Sequence, residues 1–275
     1  MKEFLSLIIN YSFLRNAILV SVLASIACGI SGSFVVKKKM TFVSGGLAHA
    51  ILGGIGIAYF FHLNTSVGAI IFALLFSLII TIAKIKAHQE EDTIIGVLWA
   101  IGMAIGIIFM YITPGYNVDL LSFIFGNILM VETRDIFIIL ILDVVIFSVF
   151  FLLYYHFLYA SFDEEFLEVR GLNINLIYFT LLALISITIV ILIKIVGLIL
   201  VIALLTLPSV VASLFSKTLK KMIIIAIFLS IIFTLSGIFI AFQFNLPAGS
   251  CIIIFAGLIY LLALMYKKFN FLKKS

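Results

Sequence analysis

The feature that most constrains this chain is a recurrence. Runs of about twenty apolar residues, the length a helix needs to cross a bilayer, follow one another with only short polar breaks. They read as Leu14–Val36, Phe42–Phe61, Ser66–Ile85, Thr93–Ile112, Ile136–Tyr155, Ile174–Ile193, Ile195–Phe215, Met222–Phe242 and Ser250–Tyr266. A soluble core has no room for them: 65% of the 275 residues are hydrophobic and 11% charged. Soluble domains carry roughly twice that share of charge, about 25%. With a mean hydropathy of +1.40, lipid is the solvent that accepts such a surface. The expected fold is all-α: a polytopic bundle of eight or nine transmembrane helices, with residues 1–275 forming a single transmembrane domain.

The breaks orient the bundle. Lys37-Lys38-Lys39, Lys84 and Lys86, Arg170, the Lys217/Lys220/Lys221 group and the tail lysines fall on alternate breaks. Basic residues collect on the cytoplasmic side of membrane proteins, which puts the N-terminus outside and the C-terminus inside. The parity requires Leu120–Val131, too short to cross, to re-enter without spanning. Irregular backbone at membrane depth survives only inside protein or beside a water-filled cavity, so this piece is expected near a pathway. The net charge of +5 belongs to this membrane face and not to nucleic-acid binding. Cys28 and Cys251 both lie in apolar runs, and read as packing residues. Gly29-Ile30-Ser31-Gly32-Ser33 fits close helix packing better than a serine nucleophile elbow.

Walker A, His-Glu-x-x-His and paired-cysteine motifs are missing from the chain. Four groups carry possible chemistry. His49 lies in Ser44-Gly45-Gly46-Leu47-Ala48-His49-Ala50. An ionisable residue inside a span is expensive and tends to face a cavity, and neutral imidazole is a common transition-metal ligand. His49 therefore either lines an ion path or hydrogen-bonds a neighbouring helix. The second group, Phe162–Gly171, reads as a short amphipathic helix with Phe166 and Val169 at i and i+3, and it fits either a solvated acidic loop or docking into a partner's groove. The third is Asp143 in the fifth span, either a pathway acid or a carboxylate tolerated near water. The fourth is an outward polar set of His62, Asn64, Asn117, Asp119, Gln243 and Asn245, which reads mostly as loop residues; His62 and Asp119 are either loop residues too or groups that help a cation enter.

Taken in order, several segments resemble the permease subunit of ABC importers for zinc, manganese or iron. They are Lys39–Ala50, Phe162–Gly171, Ile195-Val196-Gly197-Leu198-Ile199-Leu200-Val201 running into Ala203-Leu204-Leu205-Thr206-Leu207-Pro208, and Asn245-Leu246-Pro247-Ala248-Gly249-Ser250. The resemblance runs from about Leu14 to Tyr266. It implies a multi-pass permease in the cell membrane, the inner membrane where there are two. It implies a homodimeric pore, an ABC ATPase subunit docked on the cytoplasmic face of each copy, and an extracellular metal-binding protein that delivers the ion. The chain itself would hold no cofactor and catalyse nothing. Zinc, manganese or iron is cargo, and ATP sits on the partner subunit. Phe162, Asp163, Glu164, Glu165, Phe166, Leu167, Val169 and Gly171 match the coupling helix of the family, and His49 matches a histidine of its metal path. Asp119, His62 and Asp143 are secondary metal candidates. One departure concerns Gly45: many zinc and manganese members carry aspartate there, four residues before the histidine.

Alternating access driven by ATP on another chain is the resulting expectation. A self-sufficient secondary carrier is the main rival; it needs a relay of acidic residues in the spans, and Asp143 is the one obvious candidate. An intramembrane hydrolase lacks a nucleophile–base set.

Overall fold

The computed structural model describes residues 11–87, 90–114, 126, 128, 131–162 and 164–272. Every regular element among them is helical. In chain order these are α1 (Ser12–Lys37), α2 (Thr41–Ala50), α3 (Leu52–Phe60), α4 (Thr65–Ala87), α5 (Glu91–Ile112), α6 (Thr133–Leu152), α7 (Tyr154–Phe162), α8 (Glu164–Val169), α9 (Ile174–Val196), α10 (Leu198–Phe215), α11 (Leu219–Phe244) and α12 (Ala248–Leu272). Taking α2 and α3 together as one span, nine candidate crossings are long and apolar enough for a bilayer among the described residues.

Burial sorts the spans into two shells. In the most apolar stretch of α1, 72% of residues are buried, against 28% in α5, α6 and α12. Accordingly α1 packs against α6, α9, α10 and α11, while the outer helices turn Ile101, Phe137, Phe147 and Leu261 outward. Lipid tails are as apolar as leucine, so close packing between spans relies on small residues and hydroxyls. Gly29 of α1 lies against Ile227, and Gly32 against the Leu205 carbonyl and Ser209. Buried hydroxyls bridge helices as well: Ser77 and Ser186 at 2.7 Å, Ser31 and Thr188 at 3.3 Å.

Glycine makes the tightest seam. A Cβ on Gly53 would fall 2.8 Å from the Gly102 carbonyl oxygen, and one on Gly56 2.6 Å from that of Gly106. Only glycine on α3 lets it meet α5 at backbone contact. The span expected over Phe42–Phe61 is interrupted at one residue, Ile51, which keeps right-handed dihedrals (φ −61°, ψ −23°) and joins α2 to α3.

Several expected boundaries move. The sixth and seventh spans, expected to be separated by Lys194 and a nearby glycine, part at that glycine, Gly197. Gly197 has φ +87°, a conformation closed to other residues without strain, whereas Lys194 continues α9 and approaches Asp135 at 4.0 Å. The fifth span starts at Thr133, because Glu132 and Asp135 form a capping box that satisfies free N–H groups of the first turn. It ends at Leu152, so Tyr154 and Tyr155 belong to α7. The polar loop before the fourth span is shorter than expected: Glu91 and Asp92 fall in the first turn of α5, where acidic side chains complement the helix dipole.

The lysine clusters meet at one end. Lys38 donates to the Ala160 carbonyl at 2.9 Å, Lys220 lies over the Tyr154 ring, and Lys37, Lys39 and Lys217 line one cavity of about 230 Å³. At the opposite end Asn16 donates to Val131, and Gly126 abuts Val196 and Gly197. Apart from Gly126, Ile128 and Val131, the Leu120–Val131 piece lies outside the described residues.

Candidate functional site

α2 begins at the lysine-rich end and places His49 eight residues in, about 12 Å along a helix. α5 begins at the same end and places Trp99 equally far in. Their rings stack, with centroids 4.7 Å apart and planes at 11°. Trp99 is held on both sides: its Nε1–H reaches Met103 Sδ at 2.9 Å, and Phe42 lies 5.7 Å from it. The imidazole is half-buried, and its Nδ1 is shielded from solvent with no hydrogen-bond partner. Of the two functions open to His49, the hydrogen bond to a neighbouring helix is therefore not made by Nδ1. Buried polar atoms are nearly always paired, so this unpaired nitrogen stands out among the described residues.

The face around His49 is partly open. Phe42 is exposed, Gly45 and His49 are half-buried, and the adjoining line of α10 (Ile199, Ile202, Thr206, Val210) is half-buried too. Gly45 leaves real space, since a Cβ there would meet only Ile202 Cδ1, at 4.0 Å. Pro208 lies inside α10 just beyond Thr206; proline removes a helical N–H and loosens the ladder where this open line passes.

Asp143 is differently placed. It is 6% exposed on the α1-facing side of α6, and neither carboxylate oxygen has a hydrogen-bond partner. The wholly buried Cys28 of α1 is within electrostatic reach. His62 stands at the far end of α3, exposed and left-handed (φ +55°). Asp119 and Asn117 lie outside the described residues. His49, His62 and Asp143 are not brought together; among the described residues no three His, Cys, Asp or Glu side chains gather.

Of the amphipathic segment, Asp163 and the side chains of Phe162, Glu164 and Glu165 lie outside the described residues. What remains is α8, closed by Gly171 at φ +70°. Leu167 is wholly buried and pins α8 to the bundle, while Val169 is 88% exposed. Phe166 rests against Tyr159 at 5.0 Å beneath the Arg170 guanidinium at 4.7 Å. Phe166 and Val169 thus do not present one continuous apolar face, because Phe166 is engaged within the chain.

Trp99 was not legible as a site residue. The available signal was its position: tryptophan favours the membrane interface, and the single tryptophan of this chain lies two turns inside a span.

The model of the ABC 3 transport family matches residues 10–267. The chain belongs to that family. It is 41% identical over 260 residues to a membrane protein of Synechocystis sp., covering 94% of this chain and 92% of the relative. It is 32% identical to the manganese transport system membrane protein MntC of Listeria monocytogenes, covering 96% and 94%. Among solved structures, PsaBC from Streptococcus pneumoniae in complex with Fab superposes with a TM-score of 0.84 at 30% identity, covering 95% and 94%. This family member is a multi-pass membrane subunit of an ABC transport system, and the ATPase of such systems sits on a separate chain.

Proposed function

We propose that this chain is the permease of an importer for a divalent transition metal, manganese foremost, with zinc and iron as related cargo. The observation that carries the proposal is the half-buried His49, stacked on Trp99, with an unpartnered Nδ1 on a partly open face. A dehydrating metal ion needs replacement ligands in a low-dielectric passage, and a neutral imidazole supplies one without adding charge. The likeness to MntC supports manganese. The whole chain acts as one permease domain. Two copies pair along the open α2 and α10 faces, so that ligands converge from both, and the lysine-rich end faces the cytoplasm. An extracellular metal-binding protein delivers the ion. The ABC ATPase docks on α8, where exposed Val169 is offered and Leu167 anchors from behind. ATP binding moves α8, and the paired faces open alternately to either side. His62 and Asp119 assist entry.

The test is radiolabelled manganese uptake into liposomes holding the permease and its ATPase. ATP-dependent uptake, competed by zinc or iron, is expected. Uptake without ATP that follows a proton or sodium gradient would support the secondary-carrier alternative instead. Val169→Asp should reduce ATPase co-purification, since a charge in an apolar contact is costly unless paired.

A further inference from the structure

At the lysine-rich end, two lysines from different segments converge on one aromatic ring. Tyr178, in the second turn of α9, is 1% exposed. Lys38 Nζ lies 4.6 Å from its ring centroid and Lys84 Nζ 4.3 Å. Both distances are within cation–π range. Each lysine has a second partner. Lys38, in the turn between α1 and α2, donates to the Ala160 carbonyl of α7 at 2.9 Å. Lys84, near the end of α4, pairs with Glu91 Oε1 at 2.6 Å.

The chain positions of these partners matter. Ala160 belongs to α7, the helix that leads into α8. Lys38 lies three residues ahead of α2, which carries His49. Glu91 is the first residue of α5, which carries Trp99. Through Lys38 the ring is tied to α7, which leads into α8, and to the root of the His49 helix; through Lys84 it is tied to the root of the Trp99 helix. All three lie partly or fully shielded from water, where charge–dipole contacts are stronger than at an exposed surface. Lys38 is thus the tie between α7 and the ring, and Lys84 the tie between the ring and α5.

We infer that Tyr178, with Lys38 and Lys84, is a positioning hub that converts movement of the α7–α8 segment into movement of the His49–Trp99 pair. This inference rests on the proposed docking of an ATPase at α8. None of the three residues touches the ion; they act through α2 and α5. Glu91 and the Ala160 carbonyl help to offset two cations on one ring, which makes the hub sensitive to the loss of a member. A helix displaced by a partner then has a defined outlet, two matched eight-residue levers ending in one stacked pair.

The experiment uses the full permease–ATPase complex and three variants. Trp99 is the single tryptophan of this chain, so its emission reports the pair directly, with a Trp99→Phe complex subtracted as background. In the wild-type complex, nucleotide should shift Trp99 emission and metal should stimulate ATP hydrolysis. Tyr178→Leu should abolish both while ATPase co-purification and basal hydrolysis stay unchanged. Tyr178→Phe, which keeps the ring, should retain both. Lys38→Met, which cuts the tie to α7, should behave like Tyr178→Leu and decides the matter if Tyr178→Leu fails to accumulate. A normal Trp99 shift and normal metal stimulation in the leucine or methionine variant would overturn the hub. Equal loss in Tyr178→Phe would also overturn it. Failure of the wild-type permease to bind an ATPase would instead strike the proposed function itself.

Discussion

His49 and Asp143 are both ionisable side chains inside spans, and both hold buried polar atoms without hydrogen-bond partners. Their surroundings differ. His49 is half-buried, stacked on Trp99 and set on a line of α2 that continues into half-buried positions of α10. Asp143 is sealed between α6 and the central helix α1, at 6% exposure. The two unpartnered groups thus differ in what surrounds them: one lies on a partly open face and the other is enclosed by packing. The neighbours explain the difference. Around His49 the side-chain-free Gly45 leaves a gap against Ile202, whereas Asp143 shares its face with Leu142, Ile139, Ile146 and Phe150.

The largest expected effect is at His49. His49→Ala should lower ATP-dependent manganese uptake by about tenfold to a hundredfold, since even supporting partners of a metal ligand cost that much when removed. Protein in the membrane should be unchanged. Full uptake by both His49→Ala and His49→Gln would place the histidine outside the path and dissolve the contrast. Because protonated imidazole cannot bind metal, wild-type uptake should also fall as pH drops through the titration of His49.

Accessibility gives the next test. In a background with Cys28 and Cys251 changed to alanine, His49→Cys should react with a small hydrophilic thiol reagent, and more slowly when manganese is present. Asp143→Cys should stay unreactive. Equal labelling at both positions would mean that the α1–α6 seam is open to water.

A smaller change is expected at Gly45. Gly45→Asp should accumulate in the membrane, because a Cβ there meets only Ile202 Cδ1 at 4.0 Å. It adds a carboxylate one helical turn from His49. Oxygen ligands suit manganese better than zinc, so competition by zinc should weaken a few-fold. An unaltered metal preference would show that the open face at Gly45 is not in contact with the ion.

Asp143→Asn should do least. It removes the ionisable group at nearly constant volume, and uptake should stay within about twofold. Thermal stability should hold or rise, since burying an unpaired carboxylate is costly. Loss of uptake at normal expression would move Asp143 into the pathway and revive the acidic relay of a secondary carrier.

Much of the fold was legible because a bilayer imposes length and polarity on each span separately. Leu14–Val36 or Met222–Phe242 needs no knowledge of its neighbours to be recognised, and lysine clusters name a side without any packing. The break between the sixth and seventh spans was legible as Lys194 with a nearby glycine; the positive φ of Gly197 places it at the glycine, while Lys194 continues the helix. His49 stood out as an imidazole among glycines, whereas Trp99 did not, because a tryptophan in an apolar run reads as packing until its ring is seen on the histidine. Phe166 and Val169 looked like one docking face at i and i+3. Tyr159 and Arg170 take up Phe166 from outside that repeat.

The sequence by itself therefore determined an all-helical membrane bundle, the approximate spans, the lysine-rich end and His49 as an ionisable residue within a span. These are properties of one segment against its solvent. Packing between helices is what stacks Trp99 on His49, encloses Asp143 while leaving His49 half-buried, and brings Lys38 and Lys84 over Tyr178. Each of those joins residues far apart in the chain. Such pairings depend on which helix faces which, and backbone contact at glycine seams such as Gly53 against Gly102 sets that choice.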